Sequence, residues 1–139
     1  MPNFDLVLRN CNLINENSIS QVDIAIKDKR IEKISSTISE KANKEIDVNG
    51  KNVAPGVIDD QVHFREPGLT KKGEIKTESL AALYGGITST MDMPNVSPAS
   101  TTLDLLEERF QLAQEKSWTN YSFYLGATPD NICLLYTSD

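Results

Sequence analysis

Apolar side chains recur at every second position near the start of the chain. Phe4, Leu6 and Leu8 share one face of a segment running from Phe4 to Asn10, and Val22, Ile24 and Ile26 repeat the pattern; this is the period of a half-buried strand. After a turn at Lys27-Asp28-Lys29-Arg30, Ile31 and Ile34 break the strict alternation, so a bulge or strand end is expected there. Ser35 to Lys44 reads as a polar loop. Ile46 and Val48 resume the alternation, and Asn49-Gly50 supplies the positive backbone angles of a tight hairpin turn. Residues 1–55 are therefore expected to form antiparallel β-structure without a helix.

From Val57 the texture changes. A mostly apolar entry, Val53-Ala54-Pro55-Gly56-Val57-Ile58, leads into a strand reaching Phe64. Ile75, Ser79, Ala82 and Leu83 then fall at helical spacing, stopped by Gly85-Gly86. The run Ile87 to Met93 is a second strand, ended by Pro94-Asn95. Thr101-Thr102-Leu103-Asp104 reads as a capping box ahead of a helix with Leu103, Leu106, Phe110 and Ala113 on one side, and Trp118 is expected to pack near its end. Tyr121, Phe123 and Leu125 alternate in a third strand. Strand, helix, strand, helix, strand at this spacing predicts a parallel α/β sheet, open or closed. Ligands of such sheets bind at the carboxyl ends of the strands, where His63, Arg65 and Asn95 fall.

Composition narrows the function classes. The 139 residues are 39% apolar and 24% charged, with a net charge of −6 and no long run of either sign. This describes a globular domain and argues against a nucleic-acid partner. The first residues lack a signal peptide's basic and apolar regions, and no apolar run approaches the roughly 20 residues needed to span a bilayer, so a cytoplasmic protein without a membrane partner is expected. Cys11 and Cys133 make neither a disulfide framework nor a closely spaced metal pair.

The candidate chemistry lies in Asp59-Asp60-Gln61-Val62-His63-Phe64-Arg65-Glu66-Pro67-Gly68. On an extended strand Asp59, Gln61, His63 and Arg65 would point one way and Asp60, Val62 and Phe64 the other. Two ligands separated by one residue share a face and can bind one ion, here Gln61 and His63. Taken alone, Gln-x-His is a weak signal, because a single histidine is more often a hydrogen-bonded structural group than a ligand. The ordinary reading of Arg65 is a surface salt bridge, and that of Asn95 a turn residue.

Together these residues resemble the dihydroorotases of the amidohydrolase superfamily, in the bacterial class I form. Val53 to Gly68 resembles the family's first-strand motif, and Gly85-Gly86-Ile87-Thr88 with Met91-Asp92-Met93-Pro94-Asn95 its second-strand motif. The likeness extends from about Phe4 to Ile132. It implies the N-terminal part of a TIM-type (β/α)8 barrel, about three strands within residues 56–132, preceded by an antiparallel β-sandwich segment in residues 1–55. A complete barrel takes roughly 250 residues, of which Val57 to Ile132 supplies 76; the chain alone is therefore expected to be inactive and poorly folded, and to lack a general base and later metal ligands. The implied activity is reversible hydrolysis of the cyclic amide of dihydroorotate to N-carbamoyl-aspartate, in pyrimidine biosynthesis, with one or two zinc ions. His63 matches a metal ligand, and Arg65 and Asn95 match the residues holding the substrate carboxylate.

Gln61 departs from the family, which normally has His there; a neutral amide oxygen weakens that metal position. Two alternatives follow. One is a catalytically silent subunit assembling with aspartate transcarbamoylase, a homo-oligomer being a further implied assembly. The other is a related cyclic amidohydrolase of hydantoinase or allantoinase type. The last residues, 133–139, resemble a translated sequencing adapter, so the natural residues of this chain are expected to stop at Ile132, where the gene was truncated at a contig edge, and no amphipathic helix is expected after Pro129-Asp130-Asn131.

Overall fold

The computed structural model describes residues 3–136. The chain divides into two compact units, 1–55 and 56–139.

The first unit is a sheet of β1 (Phe4–Asn15), β2 (Ser18–Lys27), β3 (Arg30–Ser35), β4 (Ala42–Asp47) and β5 (Asn52–Val53). Its order is β3-β2-β1-β4, with β5 also on β1. β1, β2 and β3 pair antiparallel as expected, but β4 and β5 run parallel to β1. The expectation of a purely antiparallel segment is therefore corrected. Asn49 and Gly50 do adopt positive φ, 55° and 71°, yet the turn is not a hairpin. It carries the chain from Asp47, opposite Arg9, to Asn52, opposite Asn12, past the bulge where β1 shifts register between Leu8 and Cys11. Alternation reports which face a side chain takes and carries no strand direction.

The core of this unit is Phe4, Val7, Ala25 and Ile38. Val7 and Cys11 are fully buried while Leu6 and Leu8 are half-buried, so β1 is apolar on both faces. Asp23 is buried and accepts from Arg9 Nη1 at 2.8 Å and from the N–H groups of Asn10 and Ile38, each at 3.1 Å. Burial pushes its carboxyl up, but Arg9 and the two amides outweigh burial and hold it below the usual carboxylate range.

The second unit alternates β6 (Val57–Val62), α1 (Ile75–Tyr84), β7 (Ile87–Asp92), α2 (Leu103–Lys116) and β8 (Asn120–Phe123), ending in α3 (Ile132–Tyr136). The strands form an open parallel sheet in the order β6-β7-β8. Val62, Phe64, Ile75, Ala113 and Phe123 make its core, with Leu106, Phe110 and Tyr121 packed against them. Gly85 caps α1, and Gly86 takes the left-handed turn with φ of 90°. Thr102 caps α2 by accepting from the Leu105 N–H at 3.3 Å. The reciprocal half of a capping box is absent, because the third helical position is Leu105.

Two expectations change here. Leu103 is exposed, and Arg109 takes a place on the buried side of α2. Trp118, just past α2, donates its backbone N–H to Ser79 Oγ of α1 at 3.1 Å, but the residue is largely exposed. α3, five residues with none buried, follows Asn131 and is no amphipathic helix; the Asn131 side chain bonds the Thr128 N–H and the carbonyls of Thr101 and Gly126. Of the tail 133–139, residues 137–139 lie outside the described residues.

Candidate active site

The ends of β6 and β7 bring His63, Arg65 and Asn95 together. His63 Nδ1 lies 3.1 Å from Asn95 Oδ1 and 2.9 Å from Asn95 Nδ2. Arg65 Nη1 donates to the Asn95 carbonyl at 3.4 Å. His63 is exposed and Arg65 half-buried. Gln61 lies on β6 and is exposed; among the described residues its side chain has no hydrogen bond to the other three. It lines a cleft of about 380 Å³ with Asp60, Met93, Pro94, Tyr124, Leu125, Gly126 and Ala127.

The shared face expected for Asp59, Gln61, His63 and Arg65 is corrected at Asp59. Asp59 pairs with Thr90 and Val62 with Asp92, so Asp60 and Gln61 of β6 stand against Met91 alone of β7. This bulge re-phases the strand, because paired residues of neighbouring strands project to the same side. Asp59 therefore goes with buried Thr90, away from the His63 side. Its carboxylate reaches forward to accept the Gln61 N–H at 3.1 Å, satisfying an amide that the bulge takes off the ladder. The Asp60 carbonyl, in the same bulge, accepts from Tyr124 Oη at 3.1 Å.

From Val62 onward the strand is held by a last backbone bond and then by a side chain. The Phe64 N–H donates to Asp92 Oδ1 at 3.2 Å, and the Val62 carbonyl accepts from the Met93 N–H at 3.0 Å. Arg65 has a left-handed backbone with φ of 69°. Glu66 is buried and accepts from the Ile75 N–H at 2.9 Å, capping α1, while its other oxygen pairs with Lys116. That contact raises the Lys116 ammonium above its ordinary value. Asp92 forms a buried ion pair with Arg109 at 2.5 Å; burial pushes the Asp92 carboxyl up and the Arg109 guanidinium down. Sequence reasoning gave Glu66, Asp92 and Arg109 no role of their own. The available signal was an acid inside the apolar run Met91-Asp92-Met93 and a cation at Arg109, three residues after Leu106 and four before Ala113.

The donor set for a metal ion is incomplete. Among the described residues no three His, Cys, Asp or Glu side chains gather to hold one. His63 fits as a single ligand, with Nδ1 engaged by Asn95 and Nε2 turned to the other side of the ring. Gln61 adds at most a neutral oxygen. A larger hollow of about 650 Å³, in the first unit, is lined by Asn10, Gln21, Val22, Asp23, Ser36, Asn49 and Gly50. Its one charged group, Asp23, already accepts three hydrogen bonds, so the smaller cleft beside Gln61 is the candidate site. None of the helices among the described residues is long and apolar enough to cross a membrane.

A family profile described as Dihydro-orotase-like matches residues 50–128. A dihydroorotase of Fusobacterium nucleatum is 38% identical over 112 residues, which are 81% of this chain and 26% of that protein. An allantoinase of Desulfitobacterium hafniense is 37% identical over 133 residues, 95% of this chain and 30% of that protein. The solved L-hydantoinase (dihydropyrimidinase) of Arthrobacter aurescens superposes with a TM-score of 0.90 at 34% identity, over 95% of this chain and 30% of that one. The chain thus spans less than a third of the length of the curated relatives it matches. With the profile covering more than half of it, the chain belongs to the dihydroorotase-like family, which takes in cyclic amidohydrolases named for more than one substrate.

Proposed function

We propose that the protein is a metal-dependent cyclic amide hydrolase acting on dihydroorotate, which it opens reversibly to N-carbamoyl-aspartate. The observation carrying this reading is Arg65, whose guanidinium lies against Asn95 beside His63 at adjacent strand ends. A planar guanidinium with an amide donor suits a carboxylate, and dihydroorotate bears one next to its ring amide. His63 and Gln61 would hold zinc with ligands from the part of the relatives' length that this chain does not span. Bound there, zinc would polarise the amide carbonyl and lower the pKa of water. Asn95 orients the imidazole, and the cleft beside Gln61 receives the ring. The barrel is part of the same proposal, β6, β7 and β8 being its first three strands, and so is inactivity of the 139 residues alone.

The hydantoinase-type reading draws on the likeness to L-hydantoinase. Assays of the full-length gene product on dihydroorotate, allantoin and a substituted hydantoin separate the readings. Preferred turnover of dihydroorotate, reduced by about a hundredfold in Arg65→Ala while any hydantoin turnover is spared, is expected from loss of a charge-assisted pair. Preference for hydantoin, or dihydroorotate turnover indifferent to Arg65→Ala, rejects the proposal. Absence of bound metal and of all turnover supports a silent subunit instead.

A further inference from the structure

β6 stops at Val62, so the backbone carrying His63 and Arg65 lies past the last ladder pair. A side chain of the neighbouring strand replaces the missing ladder bond: the Phe64 N–H, between the two site residues, donates to Asp92 Oδ1 at 3.2 Å. Asp92 Oδ2 accepts from Arg109 Nη2 at 2.5 Å. Arg109 Nη1 in turn donates to Ser100 Oγ at 3.2 Å, in the loop that bears Asn95, and the guanidinium lies 4.2 Å from the centre of the Phe123 ring. Asp92 and Arg109 are 2% and 1% exposed, and Arg109 Nε has no hydrogen-bond partner.

A buried ion pair with an unsatisfied donor is a poor source of stability, since well-packed apolar residues of like volume commonly serve as well or better. This one joins three things: the segment with His63 and Arg65, the loop with Asn95, and α2. We propose that Asp92 is a positioning residue of the candidate site, fixing the peptide between His63 and Arg65, while Arg109 is the buried counterion that balances its charge. The effect on turnover rests on the function proposed above; the placement of the side chains does not. What the site requires of Asp92 is an acceptor at Oδ1, and the charge serves to bind Arg109.

Two double variants of the full-length gene product separate these roles without leaving a lone buried charge. Asp92→Asn with Arg109→Met keeps the acceptor, and Asp92→Ala with Arg109→Met removes it. At matched unfolding temperatures, the Ala variant is expected to lose more than about tenfold in kcat/KM, with KM raised as Arg65 shifts, while the Asn variant stays within about threefold. The Phe64 amide should exchange about tenfold faster in the Ala variant than in the Asn variant. Equal losses of turnover in both variants, or equal protection of Phe64, overturn the proposal. If the wild-type protein turns over none of the cyclic amides, the functional reading fails by itself. Nuclear magnetic resonance of the His63 ring and Asn95 amide then decides the positioning role: signals shifted only in the Ala variant support it, and signals unshifted in both overturn it.

Discussion

One ring nitrogen of His63 faces both ends of the Asn95 amide, Nδ1 lying 2.9 Å from Nδ2 and 3.1 Å from Oδ1. Two arrangements satisfy this contact. Either Nδ1–H donates to Oδ1 and Nε2 keeps a lone pair, or Nδ2–H donates to Nδ1 and the neutral ring carries its proton on Nε2. Only the first lets Nε2 ligate a metal or accept a proton. Asn95→Asp enforces it, because an ionised carboxylate has no hydrogen to give. The 15N signals of His63 should then report Nδ1–H. In the full-length protein, KM for a carboxylate substrate should rise by more than about tenfold through like-charge repulsion. An Nε2–H signature in Asn95→Asp contradicts this account.

Glu66 satisfies the first amide of α1 with one oxygen and pairs with Lys116 at the end of α2 with the other. Glu66→Ala should lower unfolding free energy by about 1–3 kcal/mol, the range for a lost cap and a buried acceptor. Glu66→Gln keeps one acceptor and should lose less. Urea titration measures both, and equal losses show that the cap contributes nothing.

Gly68 has a φ of 80°, and a Cβ there would strike the backbone of Ser97, whose carbonyl carbon would lie at 2.8 Å. The Ser97 N–H already donates to the Pro67 carbonyl at 3.1 Å, so the loops after β6 and β7 touch through their backbones. Gly50, with a φ of 71° and nothing within 4 Å, is the control. Gly50→Ala should cost only the left-handed penalty of about 1–2 kcal/mol, and Gly68→Ala clearly more. Similar midpoint shifts for the two would mean that the loops part without resistance.

The lowered carboxyl of Asp23 makes stability depend on acid. A folded value below the unfolded one means that the native state binds this proton less readily. The stabilisation is complete above the unfolded value of about 3.9 and is lost as pH falls through the folded value. Asp23→Asn should therefore be less stable than the parent near neutrality, with the gap narrowing below about pH 4. Urea midpoints taken from neutral to acidic pH check this, and a gap that widens in acid refutes it.

Much of this arrangement could be read from the residues, but unevenly. Gly85-Gly86 and Thr102 marked helix boundaries because those signals act on their own backbone. His63, Arg65 and Asn95 follow the strand ends, and their convergence needed only the β-α-β order. Strand direction at β4 was hidden, since Ile46 and Val48 alternate identically beside a parallel or an antiparallel neighbour. The bulge at Asp60 and Gln61 was hidden for a related reason: it exists only relative to β7, so Asp59 was placed with His63 when pairing turns it away. Arg109 looked like one more polar residue of α2 because its partner, Asp92, is 17 residues earlier in sequence.

The left-handed turn at Arg65 sets function against folding. A side chain branching from Cβ pays about 1–2 kcal/mol for that conformation, and glycine nearly none. Arg65→Gly should therefore yield a protein that resists urea better than Arg65→Ala, although both lack the guanidinium. Screening for robustness alone would therefore tend to erase this arginine, whose backbone holds a positive φ of 69° while its guanidinium bonds the Asn95 carbonyl.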